Sequence, residues 1–320
     1  MINRKLLNKC LGMALFLCIT FSGCGENTEE QENLRKEGIQ YIQDGKYQDA
    51  IASFDKALAE DDGSYSKLEI DICLYKAKAQ IMLGRQDEAM KTYTAMIDYE
   101  KDSAAYFARG CMYLEEGNKD LGLADFEAGI KEDKENFDLY IGIAQVLDKY
   151  DMKELATEYL DKALEIDKDT EEVVMHKGRI YMLKGDYTNA QKNLQKALDK
   201  GYDKANFYMG QLWSMQGDDN LSETYYKSYI DSGEAEPDEL YELGRKQMDA
   251  GEYKGALLYF EAAQKSDKPI SDSQSLKKNI IICYENLKDF QKAKELMEEY
   301  IKAYPQDEKA QRESLFLETR

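Results

Sequence analysis

The 320-residue chain carries 63 acidic against 43 basic residues, a formal net charge of −20, and only three prolines. An acid excess of that size excludes nucleic acid as a partner, because phosphate binding needs clustered Lys and Arg; it suits a body kept apart from its neighbours by self-repulsion. A single histidine, His176, rules out two-histidine metal motifs and leaves little scope for a histidine-based triad.

Residues 1–23 read as an export segment outside the fold. Arg4, Lys5 and Lys9 form a positive n-region, and the apolar run Cys10–Phe21, 12 residues long, is too short to span a bilayer comfortably. The run ends in Phe21-Ser22-Gly23-Cys24, which resembles the lipobox of bacterial lipoproteins, with Phe21 standing where Leu is usual. The resemblance implies cleavage before Cys24, a diacylglyceryl group on that cysteine, and a lipid-anchored, extracytoplasmic place in the bacterial cell envelope. An ordinary secretory signal or an uncleaved anchor is the alternative. Cleavage before Cys24 removes three positive charges and no acid, taking the net charge from −20 to −23. Two acyl chains anchor stably where one does not. Residues 24–32 then form the lipidated cysteine and a short acidic tether, reaching about 26 Å over its eight residues past Cys24 when extended.

From residue 31 the chain repeats one pattern, clearest in Glu171–Tyr202. Gly178, Tyr181, Gly185, Tyr187, Ala190, Leu194 and Ala197 stand there at relative positions 8, 11, 15, 17, 20, 24 and 27. Two helical periods flank a turn at Lys184-Gly185-Asp186; small residues sit where helices cross and bulky ones fill the layer between. The spacing resembles the tetratricopeptide repeat. Gly38, Tyr41, Gly45, Tyr47, Ala50, Phe54 and Ala57 hold the same seven positions in the first unit. Units start near residues 31, 70, 103, 137, 171, 203, 237 and 274, a phase that unrelated amphipathic helices do not keep. The resemblance implies an all-α, right-handed superhelical solenoid of about eight helix-turn-helix units over 33–307, closed by a C-terminal capping helix over 308–320. Two longer intervals, around Asp61-Asp62-Gly63-Ser64 and Ser266–Ser273, have loop chemistry and read as tolerated insertions.

Catalytic chemistry is missing from the pattern. Cys73, Cys111 and Cys283 have no CxxC spacing and are odd in number, supporting neither zinc nor a disulfide framework. No acid/base pair stands out among 63 carboxylates, and the glycines follow the repeat rather than a phosphate loop. No enzyme, cofactor or metal is therefore expected.

The family resemblance assigns first-helix positions 2, 5, 9 and 12 to an inner groove. There the chain places Phe107, Cys111, Met175, Arg179 and Met182, followed by Phe207, Gln211, Tyr241, Arg245 and Met248. Across all units these positions hold six cations (Arg35, Lys78, Arg179, Lys204, Arg245, Lys278) against seven acids, a net −1. One reading is an adaptable apolar channel whose arginines hold an extended, carboxylate-bearing protein or peptide ligand; the other is that neighbouring units bury the Met and aromatic side chains. The Lys/Asn clamp of chaperone-binding relatives is unmatched, with Arg35 and Ile39 in those places. The leading expectation is an envelope-anchored scaffold binding protein. The alternative is a carbohydrate- or solute-capturing lipoprotein, which the one tryptophan, Trp213 at a core position, does little to favour.

Overall fold

The computed structural model describes residues 26–59, 66–268, 270 and 272–318. The export segment, Cys24 and the Asp61–Ser64 junction lie outside the described residues. Among the described residues every regular element is an α-helix. They divide into two bodies, Met1–Asp186 and Tyr187–Arg320, each described by itself.

The first body contains the hairpins α1 (Glu26–Gln43)/α2 (Tyr47–Ala59), α3 (Lys67–Met82)/α4 (Gln86–Glu100), α5 (Ser103–Glu115)/α6 (Lys119–Glu132) and α7 (Phe137–Lys149)/α8 (Lys153–Leu164), then α9 (Glu171–Leu183). The second begins with α10 (Tyr187–Asp199). It continues through α11 (Ala205–Met215)/α12 (Asp219–Asp231), α13 (Pro237–Asp249)/α14 (Tyr253–Lys265) and α15 (Ser273–Asn286)/α16 (Phe290–Ala303) to α17 (Glu308–Leu317). First helices of consecutive units also touch, α1 with α3, α5 with α7, α7 with α9, and α13 with α15. Within each body the touching first helices thus lie side by side.

Local chemistry starts and stops these helices. Ser66 and Glu69 form a reciprocal capping box at α3, while Asp102, Asn136, Thr170 and Asp218 each accept a backbone N–H at the start of α5, α7, α9 and α12. Every first helix ends on one left-handed residue. Gly45, Gly84, Gly117, Gly185, Gly217 and Gly251 take φ between +73° and +82°; Asp151 at 59° and Lys288 at 63° do the same without glycine. At the end of α9 the Gly185 N–H donates to the Met182 carbonyl at 3.0 Å and the Asp186 N–H to the Tyr181 carbonyl at 2.9 Å. Two carbonyls orphaned by the helix end are satisfied in this way.

The hairpins close as one small residue against one ring. A Cβ added to Gly110 would lie 2.7 Å from the Phe126 ring and 3.0 Å from the Gly122 carbonyl oxygen; one added to Gly210 would lie 2.7 Å from Tyr226. Gly38 and Gly244 meet Phe54 and Phe260 in the same way. All four rings are buried. Unit three keeps the close approach with Gly122 and Gly129 where other units have Ala, and unit six fills the same two places with Ser222 and Tyr229, both buried. The Ser222 hydroxyl donates to the Gly210 carbonyl at 2.9 Å, satisfying itself in the crossing.

One polar tie has no signal in the repeat pattern. Arg109 on α5 forms a two-pronged ion pair with Asp125 on α6, 2.8 Å on each prong, with Asp125 almost entirely buried. The same guanidinium lies between the rings of Tyr106 and Tyr113, 5.9 Å from each centroid. Removing either partner would leave a buried charge alone, so the pair locks this hairpin more than it adds net stability.

Candidate ligand-binding face

The structure puts five of the ten sequence-nominated side chains inside. Phe107, Cys111, Met175 and Met182 in the first body, and Phe207 in the second, are all buried. Phe107 stacks on Phe126 with centroids 5.8 Å apart, and its ring is what a Cβ on Gly142 of α7 would meet, at 3.3 Å. It therefore fills the gap between α5, α6 and the next first helix. Phe207 packs edge-on against Tyr226 and Tyr229 at 6.0 and 5.5 Å. The adaptable apolar channel does not form from these five residues, because all of them are packed inside.

Arg179 is reachable but engaged. Its guanidinium, on α9, donates to Asp138 on α7 at 2.6 Å and lies 2.8 Å from His176 Nδ1. With Nδ1 accepting from the arginine, the neutral imidazole carries its proton on Nε2, which lies 3.9 Å from Glu172. The ring itself is buried and stacked on Phe137 at 5.2 Å. An open cleft of about 740 Å³ borders this network, lined among others by Glu135, Asp138 and Glu172, with Lys168 tied to Glu135 at 2.5 Å. Its acids oppose a carboxylate ligand there.

In the second body Gln211, Tyr241 and Met248 are half-buried and Arg245 is exposed. The Tyr241 hydroxyl accepts from Asn279 on α15 at 3.2 Å, and its ring lies 5.7 Å from Phe260. Arg245 stands 3.3 Å from Glu242 on its own helix. Gln211 lies on α11 and the other three on α13. Trp213, on α11, is half-buried with its indole N–H enclosed, so it offers no open stacking platform.

Ion pairs between neighbouring elements engage four of the six cations on this face. Arg35 pairs with Asp71, Arg179 with Asp138, Lys204 with Glu239 at 3.4 Å, and Lys278 with Asp307 at 3.0 Å. Asp307 also caps α17 and accepts from Tyr300 at 2.9 Å. The Ala310 N–H foremost, then Lys278, holds its carboxyl well below the usual range. These partners lie 29 to 41 residues apart, beyond the reach of a helical-period argument.

Cys73 and Cys283 are held in the thiol form. Burial pushes Cys73 and Cys283 up to about 11. Among the described residues no group of three or more His, Cys, Asp or Glu is arranged to hold a metal ion, and no helix is long and apolar enough to cross a membrane.

Family models of the tetratricopeptide repeat match residues 41–108, 103–136, 137–170, 171–199 and 241–308, more than half of the chain. A 125-residue stretch is 30% identical to the Hsp70-Hsp90 organising protein of Plasmodium falciparum, covering 38% of this chain and 46% of that protein. The chain thus spans about half the length of that relative. Among solved structures, a tetratricopeptide repeat protein from Parabacteroides merdae aligns with TM-score 0.42 at 15% identity, over 80% of this chain and 99% of the other. PilW, a type IV pilus biogenesis factor, aligns with TM-score 0.41 at 21% identity, over 66% of this chain and 97% of the other.

Proposed function

We propose that this chain, which belongs to the tetratricopeptide repeat family, is a lipid-anchored extracytoplasmic scaffold that holds an extended protein segment against its first-helix face. One observation carries the binding half. Gln211, Tyr241 and Met248 remain partly exposed on consecutive first helices of the second body, while the hydrophobic side chains around them are packed. A set that mixes an amide, a phenol and a flexible thioether suits a peptide backbone with alternating apolar side chains. The family membership and the name of the organising-protein relative support a protein ligand.

The anchoring half rests on the Phe21-Ser22-Gly23-Cys24 motif and its charged, apolar lead-in. Cys24→Ala is expected to abolish lipid labelling and leave an unprocessed precursor. Normal processing and membrane retention of that variant without incorporated lipid would refute the anchor. For the binding half, a photo-crosslinking residue placed at Met248 is expected to capture a discrete protein that the same group at exposed Lys192 does not. Equal capture at both places, or binding of glycans alone on an array, removes the reading.

A further inference from the structure

The C-terminal helix α17 rests on the last hairpin through two matching stripes. On α15, Gln274, Lys278, Ile281 and Glu285 recur at steps of three and four residues and so share one face. On α17, Ala310, Glu313, Ser314 and Leu317 do the same; Ala310 and Leu317 are buried and the two between them half-buried. Ala310 and Leu317 join Ile281, Ala293, Met297 and Tyr300 in one buried cluster. An acid at 313 therefore stands inside a contact stripe whose two ends are apolar.

The polar contacts at the two ends of this interface differ in sign. At the first end Lys278 lies 3.0 Å from Asp307, which also accepts from Tyr300 and from the Lys309 and Ala310 N–H groups. Two turns further along both helices, Glu285 comes within hydrogen-bonding reach of Glu313, and one Glu285 oxygen is enclosed with no partner. Two carboxyls hydrogen-bond each other only through a proton that one of them holds. Both ionised, they repel in a contact partly withdrawn from water. Among the described residues no ion pair joins either acid to a basic side chain. Lys292 of α16 pairs with Glu295 on its own helix, Lys278 is taken by Asp307, and Arg312 donates to the Glu308 carbonyl. Lys288 and Asp289, in the turn after α15, are exposed. Burial first, then Glu313, pushes Glu285 up to about 7, whereas Asp307 is held well below the usual carboxylate range and stays charged.

We propose that α17 is a proton-dependent latch: its Asp307 end is a fixed hinge, and its far end stays docked only while Glu285 and Glu313 share a proton. The sign follows from the raised carboxyl. It favours the docked form in full below its ordinary value near 4.5, and that contribution is lost as pH rises through about 7. Leu317 follows Glu313 by one turn and leaves with it, which uncovers the apolar end of the last hairpin at Ile281 and Met297. The Lys278–Asp307 contact keeps both its charges over the same interval, so the helix swings from its first turn and does not detach.

Hydrogen exchange of the full chain, read segment by segment along α17 at pH 6 and pH 8 and corrected for the intrinsic rate, tests the latch. The far turn, Ser314–Leu317, is expected to lose about tenfold of its protection, the factor that one carboxyl titrating near 7 gives over that interval, while the first turn changes less. The dye 1-anilinonaphthalene-8-sulfonate, a probe of exposed apolar surface, should brighten over the same interval. Glu285→Gln, equal in size and uncharged, should remove both responses. Glu313→Gln, on the more open helix, should at least halve them and stands in if the first variant does not fold. Lys278→Met should loosen the first turn at both pH values and leave the step at the far turn in place. Three results each overturn the proposal: a wild-type far turn that keeps its protection from pH 6 to pH 8, an equal loss at both ends of α17, or a full wild-type step in either glutamine variant.

Discussion

Substituting Gly110 by Ala puts the small-against-ring layer under direct strain. The new Cβ would sit 2.7 Å from Phe126 Cε1 and 3.0 Å from the Gly122 carbonyl oxygen. Phe126 is fully buried in the main core of the first body, so its ring moves only by displacing neighbours. Overpacking of that kind costs about 1–3 kcal/mol, whereas replacing a mid-helix glycine by alanine returns at most about 1 kcal/mol of backbone entropy. The backbone oxygen cannot rotate away, which places the cost in the upper part of its range and the net destabilisation at about 1–2 kcal/mol. Unit four carries Ala144 and Leu160 at the corresponding positions, so Gly110→Ala with Phe126→Leu should lose less than the sum of the two single changes. Gly255→Ala is the contrast, since its Cβ would meet only the flexible end of Gln247, at 3.3 Å. Urea unfolding followed by circular dichroism, with fluorescence as a second probe because repeat arrays depart from two-state behaviour, reads all three. If Gly110→Ala stabilises the chain as much as Gly255→Ala, backbone entropy outweighs the crossing and the packing argument is refuted.

Two further outcomes follow from the turns and the C-terminal cap. Asp151→Gly and Lys288→Gly should each stabilise by about 0.5–1 kcal/mol, because a side chain at positive φ is strained where glycine is not; a loss of stability in the same unfolding assay would show that those side chains contribute contacts. Glu285 on α15 has one carboxylate oxygen enclosed without a partner, and burial first, then Glu313 of α17, raises it to about 7. A carboxyl raised in the folded state favours folding below its unfolded value near 4.5 and loses that contribution as pH rises through about 7. Hydrogen exchange in α17 should therefore quicken between pH 5 and 8, beyond the intrinsic trend, in the wild type but not in Glu285→Gln. An unchanged difference between the two at both pH values would refute the linkage.

What the sequence determined by itself was the set of local requirements. Glycine at relative position 15, small residues at 8 and 20, and bulky residues at 24 are demanded by a tight turn and a close helix crossing inside some 34 residues. Those demands recur with the period and are legible in most units, and the helical-repeat architecture follows from them. Where glycine is absent the signal fades, although Asp151 and Lys288 take the same left-handed conformation because the turn geometry demands it. The state of the first-helix face was decided only by tertiary structure. Phe107 and Met175 are inside and Tyr241 partly outside although all occupy groove positions, since exposure there depends on the helix that the adjacent unit lays alongside. Charge obeys the same logic. Arg179 and Arg245 share relative position 9, yet one is answered by Asp138, 41 residues away, and the other by Glu242 on its own helix. A helical period fixes which way a side chain points from its own axis; what it meets there is set by a neighbour whose sequence varies independently.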